Sequence, residues 1–279
     1  MLPRYLINAA ITRALAEDIG RGDLTADSLV PAGMTAGARL MARDSGILAG
    51  IDLARAAFAA LDPESRFELR VEDGQAVAAG TVVAHVSGSA RALLTAERVA
   101  LNYLTHLSGI ASLTGKFVEA VSGTGAHIAD TRKTLPGLRV FEKYAVRMGG
   151  GFNHRFGLDD GVMIKDNHIV ALDGIGPAVT KARSAIGHMV KICCEVDRID
   201  QIEEALAAGV DVLLLDNMGP SMLAEAVRMI AGRAIAEASG KVSLDSVAAI
   251  AASGVDVISI GRLTHSAPAL DIALDFDES

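Results

Sequence analysis

Val190–Met218 reads VKICCEVDRIDQIEEALAAGVDVLLLDNM and alternates two apolar runs with a segment of helical spacing. The runs Val190–Cys194 and Val210–Leu215 have the length and composition of buried strands. Between them, Ile199–Ala208 has the pattern of an amphipathic helix. Because a helical crossover joins parallel strands, this stretch predicts one unit of a parallel sheet.

The same pattern continues on both sides of this unit. Further apolar runs occur at Ala126–Ala129, Val162–Ile164, Ala234–Ala238 and Val255–Ile260, and helical segments at Ser221–Ile230 and Ser243–Ala252. The four runs that begin at Val190, Val210, Ala234 and Val255 recur about every 20–25 residues, a spacing typical of a β/α barrel. We therefore predict an α/β barrel catalytic domain over residues 111–265.

The first part of the chain has a different pattern. A helix is predicted over Tyr5–Ile19 and another over Ile51–Leu61, and short strands at uneven spacing surround the second. Ala90–Leu107 is apolar nearly all round and is predicted to be a buried helix. These elements predict an N-terminal α/β domain over residues 1–110, onto which a tail, residues 266–279, is expected to pack back.

Composition narrows the class of protein. The chain has 279 residues, is 51% hydrophobic, contains no Trp and carries a net charge of −8, which argues against binding to nucleic acid or to an acidic membrane. We find no signal peptide and no apolar stretch long enough to span a bilayer, so a cytoplasmic protein is expected. The two cysteines, Cys193 and Cys194, are adjacent in an apolar run and are expected to be reduced core thiols.

Residues able to do chemistry follow the predicted barrel strands. They are Asp130, Lys165, Glu195, Asp216, Ser239 and Gly261. Because the active site of such a barrel lies at the carboxyl ends of its strands, these residues are candidates for one site. Polar residues end many strands, but one lysine and three acids at successive strand ends favour function.

A local excess of positive charge points to an anionic ligand. Residues 131–165 contain seven cations against three acids, together with the glycine run Gly149–Gly151. Such a combination suits a small, highly charged anion. A solvated helix face would explain Arg139, Lys143 and Arg147, but it does not explain Arg132, Lys133 and Lys165, which follow strands. His154 is either a structural or a binding histidine.

Other candidates are weaker when taken alone. Glu195 and Asp216 are predicted to point to the same barrel mouth, where they suit Mg²⁺, ribose hydroxyls or acid–base chemistry. Ser239-Gly240 and Ser259-Ile260-Gly261 offer backbone N–H groups to a phosphate. Arg98 lies on an apolar helical stripe, where it either shields apolar surface or meets an anion. No histidine has the spacing of a zinc ligand.

Several of these residues belong to longer motifs. Asp130–Arg139 reads DTRKTLPGLR, Lys143–Arg147 reads KYAVR, and Met163–His168 reads MIKDNH. Glu17–Thr25 reads EDIGRGDLT. The chain resembles the quinolinate phosphoribosyltransferases in these motifs and over nearly its whole length.

The resemblance implies a fold and a reaction. The fold would be an N-terminal α/β sandwich domain plus an incomplete α/β barrel, as in type II phosphoribosyltransferases. The protein would be a homodimer or a higher homo-oligomer in which the sandwich of one subunit covers the barrel of its partner. It would join quinolinate to phosphoribosyl pyrophosphate (PRPP) with Mg²⁺, giving nicotinate mononucleotide, CO₂ and pyrophosphate in NAD biosynthesis.

The resemblance also implies roles for individual residues. Quinolinate carboxylates would be held by Arg98 of the neighbouring subunit and by Arg132, His154, Arg155 and Lys165. Glu195 and Asp216 would face the ribose and the metal, directly or through water. Thr131 and Lys133 would lie near the substrates, and the phosphate would be surrounded by Ser239, Gly240, Lys241, Ser259, Ile260 and Gly261. The catalytic candidates are Lys133, Lys165, Glu195 and Asp216.

Two residues depart from the expected pattern, and three alternatives remain. Lys241 and Arg262 stand where small residues are expected, and both add charge near the predicted phosphate site.

A molybdenum-transport-associated paralogue shares part of the basic motif, but it is expected to lack the run Lys165–His168. A Schiff-base aldolase would use Lys165 as its nucleophile. A polyanion-binding module would not need Glu195 or Asp216.

Overall fold

The computed structural model describes residues 2–277, which divide into two compact units. The first unit comprises the chain up to Gly115, Pro136–Gly150 and the chain from Ser266; the second comprises Lys116–Leu135 and Gly151–His265. Residues 136–150, which the sequence-based division placed in the barrel domain, therefore belong to the first unit. No helix of the described residues is long and apolar enough to cross a membrane.

The helices are α1 (Arg4–Ile19), α2 (Leu24–Leu29), α3 (Ile51–Leu61), α4 (Ala90–Ala120), α5 (Arg139–Met148), α6 (Asp166–Ala171), α7 (Ile175–Ala185), α8 (Ile202–Ala207), α9 (Pro220–Ile230), α10 (Leu244–Ala251) and α11 (Arg262–His265), with a 3₁₀ turn at Ile199–Gln201. The strands are β1 (Thr35–Ala42), β2 (Gly46–Ile47), β3 (Arg66–Leu69), β4 (Ala76–Val77), β5 (Val82–Ser89), β6 (His127–Ala129), β7 (Val162–Ile164), β8 (Ile192–Val196), β9 (Val212–Asp216), β10 (Ile235–Ser239), β11 (Val257–Ser259) and β12 (Ile272–Phe276).

The first unit is built on an antiparallel sheet of four strands in the order β12-β1-β5-β3. Its outer strand β12 comes from the chain's tail and pairs with β1, for example Leu274 opposite Leu40. Helices α1 and α3 pack on each other, and the core contains fully buried Leu40, Phe58 and Val83. Burial of this apolar surface on a sheet covered by helices is what stabilises an α/β sandwich.

The second unit is a parallel sheet of six strands in the order β6-β11-β10-β9-β8-β7. Its strands are short and mostly buried, as in β9, where Leu213, Leu214 and Leu215 have at most 5% exposure. Helical crossovers such as α8 and α9 cover a sheet of this kind. In the described chain the strand pairing does not join β7 to β6, so the barrel is incomplete.

The parallel register brings the strand ends to one edge. Ser239 of β10 pairs with Asp216 of β9, and Ser259 of β11 with Ala129 of β6. Strand β8 begins two residues later than the predicted run, and at its start the Asp211 carboxylate accepts the Ile192 N–H at 2.7 Å. Glu195 is therefore the penultimate residue of its strand, close to the same edge.

Candidate active site

A cavity of about 620 Å³ opens at the carboxyl ends of the parallel strands. This volume lies within the range of small-molecule sites. The cavity is lined by Thr131, Arg132, Lys133, His154, Arg155, Met163, Lys165, Glu195, Leu214, Asp216, Asn217, Glu237, Ser239, Gly240, Lys241 and Ser259. Twelve of the fifteen residues predicted for the site therefore line this one cavity, and all twelve belong to the second unit.

Cations from three segments of the chain meet in this cavity. Arg132 and Lys133 follow β6, Arg155 follows the Asn153-His154 turn, and Lys165 follows β7. Nη1 of Arg155 donates to the carbonyl oxygen of Gly161 at 2.7 Å, which fixes the direction of its guanidinium. Burial lowers the pKa of Arg155, and the charge of neighbouring Arg132 lowers it further. Positive charges held this close together favour binding of an anion.

Asp130 supports this wall from behind. The residue is fully buried after β6, and it does not line the cavity. Its Oδ1 accepts the backbone N–H of His154 at 2.9 Å, and its Oδ2 accepts the side-chain amide of Asn153 at 2.6 Å. Asp130 therefore orients the turn that carries His154 and Arg155, a structural role that its strand-end position did not reveal.

The two expected carboxylates have different partners. Nζ of Lys165 donates to Oε2 of Glu195, so these two side chains form an ion pair inside the cavity. Oδ2 of Asp216 accepts from Nδ2 of Asn217 at 2.6 Å. Because its ammonium is ion-paired, Lys165 is a poor candidate for the free amine that a Schiff-base aldolase needs.

Two glycines allow close packing at the predicted phosphate end. Gly240 has φ +126°, and a Cβ there would lie 2.6 Å from Oδ1 of Asn217. A Cβ on Gly261 would lie 2.8 Å from Cδ of Lys133. Glycine at these positions lets the turns approach each other and leaves room for the Lys133 side chain.

Glu237 is a site residue that the sequence analysis missed. It lies in the middle of β10, lines the cavity and is only 4% exposed. The apolar run Ala234–Ala238 predicts a barrel strand, and the candidate for the site is Ser239, the residue that follows the run. A single acid within an otherwise apolar strand was the signal available, since carboxylates are rarely buried without a partner.

Three predicted residues do not line the cavity. Ile260 is 1% exposed and belongs to the core, whereas Gly261 contributes through its contact with Lys133. Arg98 is an exposed residue of α4 in the first unit. Its predicted contact with a neighbouring subunit's substrate stays a prediction.

The glycine run and helix α5, which is the middle of the basic segment, have other roles. A Cβ on Gly149 would lie 2.3 Å from the carbonyl oxygen of Ala111, so this glycine packs against α4. Lys143 is 1% exposed and Glu142 fully buried, so α5 does not present the solvated basic face considered above. Oε1 of Glu142 lies 2.9 Å from Nε2 of His106 within the same unit.

An incomplete parallel barrel whose mouth combines clustered cations with carboxylates defines a class of enzymes that act on small anionic substrates. The chain belongs to the quinolinate phosphoribosyltransferase family: residues 23–108 match the model of its N-terminal domain and residues 110–275 that of its C-terminal domain.

Individual relatives agree with this assignment. A Bacillus subtilis protein named probable nicotinate-nucleotide pyrophosphorylase [carboxylating] is 46% identical over 93% of this chain and 89% of its own length. A Nicotiana tabacum quinolinate phosphoribosyltransferase [decarboxylating] is 42% identical over 99% and 83%. The crystal structure of NadC from Streptococcus pyogenes is 40% identical and superposes with a TM-score of 0.95 over 100% of this chain and 99% of that one. These names support the main prediction and not the molybdenum-transport alternative.

Proposed function

We propose that the protein transfers the phosphoribosyl group of PRPP to quinolinate, releasing pyrophosphate and CO₂ and forming nicotinate mononucleotide for NAD biosynthesis. The observation that carries the proposal is the meeting of Arg132, Lys133, Arg155 and Lys165 with carboxylates in one cavity of a chain from this family. Both substrates are polyanions, so a site for them must replace water around several negative charges.

The cations bind and orient the acceptor. Quinolinate carries two adjacent carboxylates, and guanidinium groups such as those of Arg132 and Arg155 bind carboxylates through paired N–H donors. Lys165 supplies a third cation, whose position is fixed by Glu195. The pyridine nitrogen of quinolinate is thereby aimed at the anomeric carbon of the donor, which replaces a random encounter with a positioned one.

The carboxylates act on the donor. As pyrophosphate leaves, positive charge develops on the ribose, and a carboxylate in a site shielded from water stabilises it. Glu195 and Asp216 lie on neighbouring strands β8 and β9 and both line the cavity. We assign them to the ribose, either as hydrogen-bond acceptors for its hydroxyls or facing the developing charge.

Decarboxylation follows from the first bond formed. Attack by the pyridine nitrogen makes that nitrogen cationic, and loss of CO₂ from the adjacent carbon leaves an electron pair beside it. The positive nitrogen stabilises this carbanion, which a proton then quenches. The cations of the site must therefore orient the departing carboxylate without stabilising its ground state as strongly as the transition state.

The cavity suits Mg²⁺ that arrives with PRPP. The described residues contain no cluster of three or more His, Cys, Asp or Glu side chains that could hold a metal ion by themselves. Mg²⁺ characteristically keeps several waters and binds one or two carboxylates together with substrate phosphates. Glu195 and Asp216 fit such a partial shell, in which the metal would neutralise charge on the leaving pyrophosphate.

The phosphate of the ribose is assigned to the turns after β10 and β11. Ser239, Gly240 and Lys241 lie on the cavity wall, as does Ser259. Backbone N–H groups of such turns are good phosphate ligands at the last strands of a barrel. We further propose that the enzyme works in the cytoplasm as at least a dimer, in which Arg98 of one subunit reaches the quinolinate of the next.

The first test is an assay of purified protein with quinolinate, PRPP and Mg²⁺, following nicotinate mononucleotide, with nicotinate as a control acceptor. Turnover of quinolinate alone is expected, because nicotinate lacks the second carboxylate that the cations orient. Omitting Mg²⁺ and adding a chelator should abolish turnover while leaving the thermal unfolding temperature unchanged, since we propose that the metal arrives with PRPP. Folded protein that turns over neither acceptor would refute the proposal.

A further inference from the structure

The cavity has a rim and a floor, because β7, β9 and β10 each contribute two side chains to it. Residues two positions apart in a strand point to the same face and lie about 7 Å apart along it. The rim, at or just after the strand ends, contains Lys165, Asp216 and Ser239. The floor, two residues earlier in each strand, contains Met163, Leu214 and Glu237. The floor is therefore apolar except for one carboxyl group.

The carboxyl group of Glu237 lacks a hydrogen-bond donor at one of its oxygens. The residue is 4% exposed, and its Oε1 is shielded from solvent and accepts no hydrogen bond from the described residues. Nε2 of His154 lies 3.5 Å from this oxygen without hydrogen bonding to it. A buried carboxyl oxygen without a donor costs free energy, so its presence on the floor of a cavity calls for a functional explanation.

Glu237 lies on the side of the cavity where cations gather. His154 is its neighbour, and Glu237 and Arg155 both act on the thiol of Cys193. Burial raises the pKa of this thiol, the charge of Glu237 raises it further, and the charge of Arg155 lowers it. A substrate carboxylate bound by His154 and Arg155 therefore lies beside the carboxyl group of Glu237.

The acceptor substrate does not supply the missing donor. Quinolinate is a dianion whose ring nitrogen has only a lone pair, so all its polar atoms accept hydrogen bonds. Two carboxylates in contact cannot both stay ionised without a large electrostatic cost, and they share a proton instead. A proton is also what the reaction needs at this place, since the ring carbon that loses CO₂ must gain one.

We propose that Glu237 is a catalytic residue, which shares a proton with the C2 carboxylate of quinolinate and delivers that proton to C2 as CO₂ leaves. The inference rests on the proposed function, and it names the group that completes the decarboxylation.

The step balances without a further reactant. The bond between C2 and its carboxylate breaks, and its electron pair stays on C2 beside the cationic ring nitrogen. The O–H bond of Glu237 then breaks, the proton forms the new C–H bond, and Glu237 is left as a carboxylate that regains a proton from water in each turnover. The other product, CO₂, is neutral and apolar, so the apolar side chains of Met163 and Leu214 favour its formation at the floor.

Single-turnover reactions test the proposal, because pyrophosphate forms in the first chemical step and CO₂ in the second. E237Q keeps the size of the side chain but cannot act as an acid. With this variant in excess over quinolinate and with saturating PRPP, quenched samples should show pyrophosphate forming at nearly the rate of the unmodified protein. Nicotinate mononucleotide should form about 10²–10⁴-fold more slowly, which is the usual contribution of a general acid. Mass spectrometry should detect the mononucleotide that still carries both carboxylates.

The matched control is E142Q, which makes the same exchange at a buried glutamate of the first unit and should leave both rates unchanged. If E237Q forms both products at the unmodified rate, Glu237 is not the acid and the proposal is overturned. An equal slowing of both products would place Glu237 in the transfer step and overturn it as well. Unmodified protein that uses no quinolinate would instead refute the proposed function, so the two failures are distinguishable.

A second variant separates the acid from the shape of the side chain. E237D retains an acid on a side chain one methylene shorter, and each variant is first checked for the thermal unfolding temperature of the unmodified protein. E237D should form nicotinate mononucleotide faster than E237Q does. Faster formation in E237Q would mean that the size of the side chain matters and its proton does not, which overturns the proposal.

Discussion

The two ends of the basic segment 131–165 and its middle, helix α5, lie in different parts of the molecule. Arg132, Lys133, Arg155 and Lys165 line the cavity of the second unit, whereas Lys143 is buried on α5 in the first unit. The sequence shows a single excess of positive charge across both. The difference shows that an excess of positive charge indicates an anionic ligand. Whether a given cation reaches the ligand site depends on the element of the fold that carries it.

The largest effect is expected where a cavity cation is removed. K165M keeps the length of the side chain but removes its charge and leaves Glu195 without its ion-pair partner. Loss of one group that stabilises charge in an active site typically costs about 10²–10³ in rate, so kcat/KM for quinolinate should fall by that factor. Steady-state kinetics at fixed, saturating PRPP measures it.

The matched control for K165M is R147M, at an exposed cation of the same basic segment on α5. It should change kcat/KM by less than about twofold, since exposed charges contribute little. If both variants lost activity equally, the distinction between the ends of the segment and its middle would be wrong.

The second effect concerns the buried residues of α5, and it is a loss of stability. E142A removes a fully buried carboxylate whose Oε1 lies 2.9 Å from Nε2 of His106. Because the variant leaves a cavity in the core and removes this partner of the half-buried His106, the free energy of unfolding should fall by about 2–4 kcal/mol. Urea denaturation measures the loss.

Activity per folded molecule separates this effect from catalysis. In E142A, kcat and both KM values should stay near those of the unmodified protein at temperatures well below unfolding. A variant of native stability with a raised KM for quinolinate would place Glu142 in the site and contradict the comparison.

Much of this contrast could be predicted from the sequence. The parallel strands of the barrel have a strong local signal, and Lys165, Asp216 and Ser239 follow or end them as expected. What could not be predicted depends on packing between segments far apart in the chain. One case is the role of Asp130, which lies behind the Asn153-His154 turn. Another is the burial of Lys143, because the pattern of an amphipathic helix does not show which of its charged residues will be covered by neighbouring elements.

Glu237 shows a second limit. Its strand was predicted, but the pleat that turns its side chain into the cavity depends on the register with β9 and β11, which pairs Glu237 with Leu214 and Val257. A shift of one residue would have turned the carboxylate to the opposite face. Register is a property of the assembled sheet, so an apolar run by itself could not reveal it.

A third, smaller effect tests the turn after β10. In G240A the new Cβ would lie 2.6 Å from Oδ1 of Asn217, at a φ of +126° that other residues rarely adopt. The turn must shift, and KM for PRPP should rise by about three- to tenfold, which corresponds to roughly 1 kcal/mol of displaced contacts.

The control for G240A is G232A, which also has a positive φ but meets no atom within 4 Å and lies outside the cavity. It shares the backbone strain without the collision, so it should lower stability slightly and leave KM for PRPP unchanged. Equal KM values for the two variants would argue against a donor phosphate at this turn.

The smallest effect is expected at the two cysteines, which share β8 with Glu195 but take no part in the proposed chemistry. Both are free and buried, and burial raises the pKa of Cys193 and raises that of Cys194 to about 11 from an ordinary 9.0. A thiol reacts as its thiolate, and raising the pKa of Cys194 from 9.0 to about 11 lowers its thiolate fraction at pH 8 roughly a hundredfold.

Native protein should therefore react with a thiol reagent at least that much more slowly than protein unfolded in urea, and its activity should survive the treatment. Rapid labelling of the folded protein with loss of turnover would mean that a strand beside the cavity opens readily and that the two cysteines are not core thiols.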